Sequence, residues 1–280
     1  MPTLNINGAD IYYEILGEEN DQAVMALHGG PGIADHRGEQ SGLSGLSDQY
    51  KLITYDHRGC GRSSETPPYT NAQYVEDAEA IRKVLGLGQI ILYGGSYGGF
   101  IAQLYALRYP ENLSHLILRD TSPNNEFVDI SKQNALNNID KAPNVTEEML
   151  DRMFDGKVRS NDDFKVLYES ILPLYFVGDK KQEEKEKQEV FYHYETHNVM
   201  FNKEFANYDI TDQLSTINTP TLVTVGKHDW ITPPAAAQLI DNHIPNSTLV
   251  QFEHSGHSPQ LEESDLYVKT VKEFLNKGAT

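Results

Sequence analysis

Residues 89–109, Gln-Ile-Ile-Leu-Tyr-Gly-Gly-Ser-Tyr-Gly-Gly-Phe-Ile-Ala-Gln-Leu-Tyr-Ala-Leu-Arg-Tyr, hold the pattern that decides the fold. Ile90 to Tyr93 is a short apolar run with the length and residue types of a buried strand. From Phe100 the pattern turns helical, through Ile101, Leu104, Tyr105 and Leu107, until Pro110 stops it. Between them Gly94-Gly95-Ser96-Tyr97-Gly98-Gly99 contains G-x-S-x-G. A strand turning this sharply into a helix needs residues without side chains, because backbones approach closely there. Ser96 is therefore expected at the apex, its hydroxyl exposed and the N–H groups of a helix N-terminus beside it.

The rest of the chain extends this unit. Thr3 to Ile6 and Ile11 to Ile15 read as a hairpin about Asn7-Gly8. Ala23 to Leu27 is a strand ending in His28-Gly29-Gly30-Pro31-Gly32, and Leu52 to Tyr55 is another, followed by Asp56-His57-Arg58-Gly59-Cys60-Gly61-Arg62-Ser63. A helix is predicted over Asn71 to Leu85 and strands over Leu113 to Leu118, Thr221 to Val225 and Ser247 to Phe252. Helices at Ala235 to His243 and about Ser264 to Asn276 complete the alternation. Antiparallel strands first and alternating strands and helices later imply an α/β fold, with a mostly parallel central sheet flanked by helices.

From Thr121 to about Tyr208 the alternation stops. The stretch is polar and helical in pattern, with Glu147 to Phe154, Phe164 to Tyr168 and a charge run over 180–189. It is too long for a structureless loop in a compact domain. It reads as an inserted helical cap over 121–208, with the core formed by 1–120 and 209–280. The charge run reads as a solvated helix face.

Composition bounds the function. A chain of 280 residues, 39% hydrophobic, with formal charge −18, lacks the basic footprint of a nucleic-acid or anionic-membrane partner. Cys60 is the single cysteine, which excludes a disulfide framework and a cysteine metal cluster. The N-terminal residues carry no basic and apolar leader pattern, and no run reaches spanning length, so a cytoplasmic setting is expected.

A serine hydroxyl needs a base, and the base needs a carboxylate to orient it. Loops after predicted strands offer Ser96, Asp229 and His257, in that order. Strand ends of an open parallel sheet face one crevice, so three such loops can meet. The N–H groups of Tyr97 and Gly30 are the candidates for holding an oxyanion. His254 is a second candidate base and Asp120 a second candidate acid. His193 and His197, at i,i+4, have the spacing of metal ligands but no evident third ligand. His28, His57 and Asp56 read as loop partners and Cys60 as a bystander. No cofactor or metal is called for.

His28-Gly29-Gly30-Pro31-Gly32, Tyr55-Asp56-x-Arg58-Gly59-x-Gly61-Arg62-Ser63, the Ser96 segment, Asp229 with Thr232-Pro233, and Ser255-Gly256-His257 together resemble the α/β-hydrolase superfamily. More narrowly they resemble its proline iminopeptidase branch, which includes the tricorn-interacting aminopeptidases. The resemblance runs from about Asn5 to Phe274 and is weakest in the cap. It implies a serine hydrolase that removes an N-terminal residue, often proline, from short peptides or arylamides. In that branch an acidic residue commonly follows the catalytic aspartate and, with a glutamate from the cap, holds the substrate ammonium. Here Trp230 follows Asp229 and Asn198 takes the second place, with Glu195 and Glu204 nearby. These four are the expected substrate contacts. A carboxylesterase or lactonase without amine recognition, or a ligand-binding protein that has lost turnover, are the other readings.

Overall fold

The computed structural model describes residues 2–178 and 190–277, so the charge run read at 180–189 lies outside the described residues. Eight strands form one sheet in the order β1-β2-β4-β3-β5-β6-β7-β8. β1 (Thr3–Ile6) and β2 (Ala9–Leu16) are antiparallel, joined at Asn7 and Gly8, whose φ of 48° and 80° is the left-handed geometry of a two-residue hairpin turn. β2 is also antiparallel to β4 (Lys51–Tyr55). Every later pairing is parallel, through β3 (Ala23–Leu27), β5 (Ile90–Gly95), β6 (Leu113–Arg119), β7 (Thr221–Gly226) and β8 (Ser247–Phe252). All residues of β3, β5 and β7 are buried, as strands covered on both faces must be.

One face carries α2 (Asn71–Val84), α3 (Tyr97–Arg108) and a helix over Pro234–His243, packed on a core that includes Leu92, Ile101 and Ile240. On the other face α1 (His36–Leu43) and the terminal helix Ser264–Asn276 share a cluster containing Leu43, Tyr267 and Val271. The apolar spacing of the sequence does not mark α1. Gly38 and Gly42 are poor helix formers, and the helix is held instead by packing and by Asp35, which accepts from the Arg37 N–H at its start.

From β3 the chain steps to β4 on one side and β5 on the other, so the sheet changes direction at β3 and β5. Open α/β sheets form their ligand crevice beyond the strand ends at such a point. The His28-Gly29-Gly30 loop and the Ser96 turn both leave the sheet there. The segment between β6 and β7 holds α4 (Val128–Asn137), α5 (Glu147–Phe154), α6 (Asn161–Ile171) and α7 (Tyr194–Val199), the last running into a π-helical turn at Met200–Glu204. Its ends are tied together: Asn124 and Asp209 form an isolated bridge and the Ile210 N–H donates to the Pro123 carbonyl at 3.0 Å.

Candidate active site

Ser96 sits between the last residue of β5 and the first of α3, with φ 54° and ψ −122°. A non-glycine residue in this region is strained, and such strain persists only where surrounding contacts fix it. Here the Ser96 N–H donates to the Arg119 carbonyl at 2.8 Å, and the Ser96 carbonyl accepts from the Gly99 N–H and the Thr121 hydroxyl. α3 begins at Tyr97, three residues earlier than the apolar spacing indicated. Its first turn can lie against β3 because residue 98 has no side chain: a Cβ there would stand 2.2 Å from the Leu27 carbonyl oxygen.

The loop after β7 presents Asp229 and the loop after β8 presents His257, both buried. Asp229 Oδ2 accepts from His257 Nδ1 at 2.8 Å and from the Thr232 hydroxyl at 2.7 Å. Its Oδ1 accepts from the N–H groups of Ile231 and Thr232. Burial works against this carboxylate, yet His257 and the Thr232 donors outweigh it and hold its pKa below the usual value. With Nδ1 donating to Asp229, the neutral imidazole carries its free lone pair on Nε2. The ring stands edge-on to Tyr175, 5.3 Å between centroids, and the His257 N–H donates to the Tyr175 carbonyl.

Behind the pair lies Arg119, buried at the end of β6 and absent from the sequence reading. It donates to the His257 carbonyl at 2.5 Å, to Glu39 Oε1 at 2.8 Å and to the Tyr93 hydroxyl at 2.6 Å. Nothing in its local sequence signals this, because these partners come from three separate segments.

Ser96, Tyr97, Gly29, Gly30, Thr232 and His257 line one cavity between the sheet and the insertion. Its outer wall is mainly aromatic and aliphatic, with Met153, Phe154, Phe164, Ile171, Phe201 and Phe205. The four expected substrate contacts lie off this wall. Trp230 is buried in the core edge-on to Tyr175, and its neighbour Ile231 reaches the cavity instead. Asn198 spends both ends of its amide on the backbone of Val158. Glu204 accepts from the Asn71 N–H at 2.8 Å, at the start of α2, where a carboxylate is favoured. Glu195 is exposed beside Tyr194.

The remaining candidates separate as well. His254 is exposed and away from the cavity wall. His193 contacts the Gly61 carbonyl and Glu65, whereas His197 contacts the Met153 carbonyl; burial drives the His197 pKa down to about 4. The groups of three or more prospective metal ligands among the described residues do not include them. His28 donates from Nδ1 to the Gly29 carbonyl and accepts the His57 N–H at Nε2, which fixes the loop beside Ser96. Cys60 is buried, its thiol pushed up to about 12 by burial, so it is no nucleophile. Asp120 stands next to Asp229 and His257.

The strand order, the strained serine turn and the buried His–Asp pair are those of a serine hydrolase built on an α/β sheet, and the chain belongs to the α/β-hydrolase family, its residues 22–264 matching the alpha/beta hydrolase fold. Within that family it groups with the proline iminopeptidases. It is 35% identical to proline iminopeptidase PfmaB of Pestalotiopsis fici, over 98% of this chain and 99% of that protein. It is 32% identical to a proline iminopeptidase of Saccharolobus solfataricus, over 97% of this chain and 91% of the other. Among solved structures, a thermophilic esterase from Thermogutta terrifontis superposes with a TM-score of 0.79 at 24% identity, covering 100% of this chain and 99% of that one. An enol-lactonase from Burkholderia xenovorans superposes with a TM-score of 0.77 at 22% identity, covering 98% and 100%. At these identities the superpositions speak for the fold. Among the described residues no helix is long and apolar enough to cross a membrane.

Proposed function

We propose that this chain is a serine aminopeptidase that releases the N-terminal residue of short peptides or aminoacyl amides through an acyl-enzyme on Ser96. Ser96 Oγ attacks the scissile carbonyl while His257 Nε2 takes its proton. Asp229 holds the imidazole tautomer and stabilises the imidazolium. The N–H groups of Gly30 and Tyr97 receive the oxyanion. His257 then protonates the departing amine, and water repeats the sequence to release the acyl residue. The chemistry asks for no cofactor. Residues 121–208 act as a cap over 1–120 and 209–280, and a single cysteine without a disulfide suits a reducing, cytoplasmic setting.

The observation that carries this reading is that His257, hydrogen-bonded to Asp229, lines the same cavity as the strained Ser96. The proline iminopeptidase relatives supply the substrate class. A second reading, a carboxylesterase or lactonase, is favoured by one finding: the four residues expected to hold a substrate ammonium lie off an aromatic wall. Proline β-naphthylamide, its N-acetylated form and a short-chain p-nitrophenyl ester separate the two. Strong preference for the free amine supports the aminopeptidase; efficient ester turnover without amine preference supports the esterase.

A further inference from the structure

We propose that Asp120 is a positioning residue of the triad: a neutral carboxylic acid that donates its proton to Asp229 and keeps the negative charge of the pair on the carboxylate facing His257. The inference rests on the triad reading for its kinetic consequences, and on geometry alone for the proton.

Asp120 is the first residue after β6, fully buried, with φ 46°, a left-handed conformation that aspartate and asparagine tolerate better than most side chains. Its carboxylate oxygens, those of Asp229 and the His257 ring nitrogens include atoms that all lie within 4.8 Å of one another. Two buried carboxylates at this range do not both ionise, because neither water nor distance separates their charges. The groups facing Asp120 leave one charge unmatched. Arg119 reaches Asp120 Oδ2 at 3.3 Å but is closer to Glu39, at 2.8 Å. His257 faces from the loop after β8 and the Tyr267 phenol from the terminal helix.

The donors decide which member holds the proton. Asp229 accepts four hydrogen bonds, from His257 Nδ1, the Thr232 hydroxyl and two backbone N–H groups. Asp120 accepts one short bond, from the Gly226 N–H at 2.8 Å, besides the long Arg119 contact. An ionised carboxylate needs several donors to offset burial, and Asp229 has them. Burial and then the Asp229 charge push the Asp120 pKa well above the usual carboxylate value, in the same sense. The Asp120 O–H is then a fifth donor to Asp229.

Infrared difference spectroscopy of resting wild-type protein against Asp120→Asn tests the proton directly. A carbonyl band of a protonated carboxylic acid, sensitive to deuterium, is expected in wild type and absent from the variant; no such band overturns the proposal, whatever substrate the enzyme takes. Kinetics test the role. An asparagine side chain keeps a neutral donor at this position and tolerates its backbone conformation, so D120N is expected to lower kcat far less than D229N, which unpairs the base from its acid and loses ~10²-fold or more. With residue 229 neutral, Asp120 is free to ionise beside His257, so D229N/D120N is expected to fall at least ~10-fold below D229N. A D120N loss as deep as that of D229N would make Asp120 the ionised partner, and equal D229N and double-variant rates would show that no proton is shared; both overturn the proposal. Unchanged hydrolysis in Ser96→Ala would sink the serine reading and leave the infrared result standing.

Discussion

Gly29→Ala isolates one structural demand of the nucleophile turn. A Cβ on residue 29 would stand 2.6 Å from Ser96 Cβ, 3.0 Å from the Gly95 carbonyl oxygen and 3.1 Å from Ser96 Oγ. Residue 29 is not in the left-handed region, unlike Gly30 at φ 52°, so alanine brings no backbone strain and acts through the contact. Unstrained carbon–carbon contact begins at about 3.5 Å, so the methyl and Ser96 must separate by about 0.9 Å. Ser96 lies on the loop side of a turn tied to Arg119 and Thr121, whereas residue 29 is tied by His28 to His57, so neither yields freely. A displacement near 1 Å at a reacting atom costs ~10² in rate, which is ~2.7 kcal/mol in the barrier. The expected result is kcat down ~10²-fold on a p-nitrophenyl ester, with a stability loss of only ~1–3 kcal/mol from overpacking. Steady-state kinetics alongside thermal unfolding check both. Wild-type kcat in a folded G29A protein would refute the view that this contact fixes the nucleophile.

Phe154, Phe201 and Phe205 belong both to the cavity wall and to an outer groove with Glu126, Asp129 and Asp155. Phe201→Ala removes the ring stacked on His197 at 4.3 Å and is expected to raise kcat/KM for longer substrates relative to short ones, at ~3 kcal/mol in stability; an unchanged chain-length profile would show the aromatic partition does not bound the cavity. Buried Glu79 resists ionisation through burial, but bonds from Arg82 and Tyr105 prevail and bring its pKa down to about 2. A folded-state pKa below the unfolded one stabilises above about pH 4.3 and loses that stability as pH falls toward the folded value, so Glu79→Gln should flatten the drop in thermal midpoint over this window. Cys60, its thiol raised to about 12 by burial and bonded by the Gly32 N–H, should escape iodoacetamide in native protein and react after denaturation; native-state labelling coupled to activity loss would contradict its inert role.

Local chemistry made much of the fold legible. The Ser96 turn, β8 and the terminal helix Ser264–Asn276 follow from periodicity and punctuation within a few residues of each element. Where glycines depress helix propensity, the pattern misleads: α1 stayed hidden behind Gly38 and Gly42, and the first turn of α3 behind Gly98 and Gly99. Long-range pairings left no trace in sequence. Glu204 looked like a free carboxylate for an ammonium, but it bonds Asn71, 133 residues away. Trp230 adjoins Asp229 in sequence, yet its ring turns into the core while Ile231 and Thr232 line the cavity. Arg119 ends an apolar strand and became visible only with Glu39, Tyr93 and the His257 carbonyl gathered round it.

Reaction with a fluorophosphonate, followed by peptide mapping, addresses the central claim most directly, because Ser122, Ser131 and Ser258 line the same cavity as Ser96. One adduct per chain is expected, on Ser96, with labelling slowed by ~10³-fold or more in His257→Ala. An adduct on another serine, or labelling of Ser96 at full rate without His257, would contradict it.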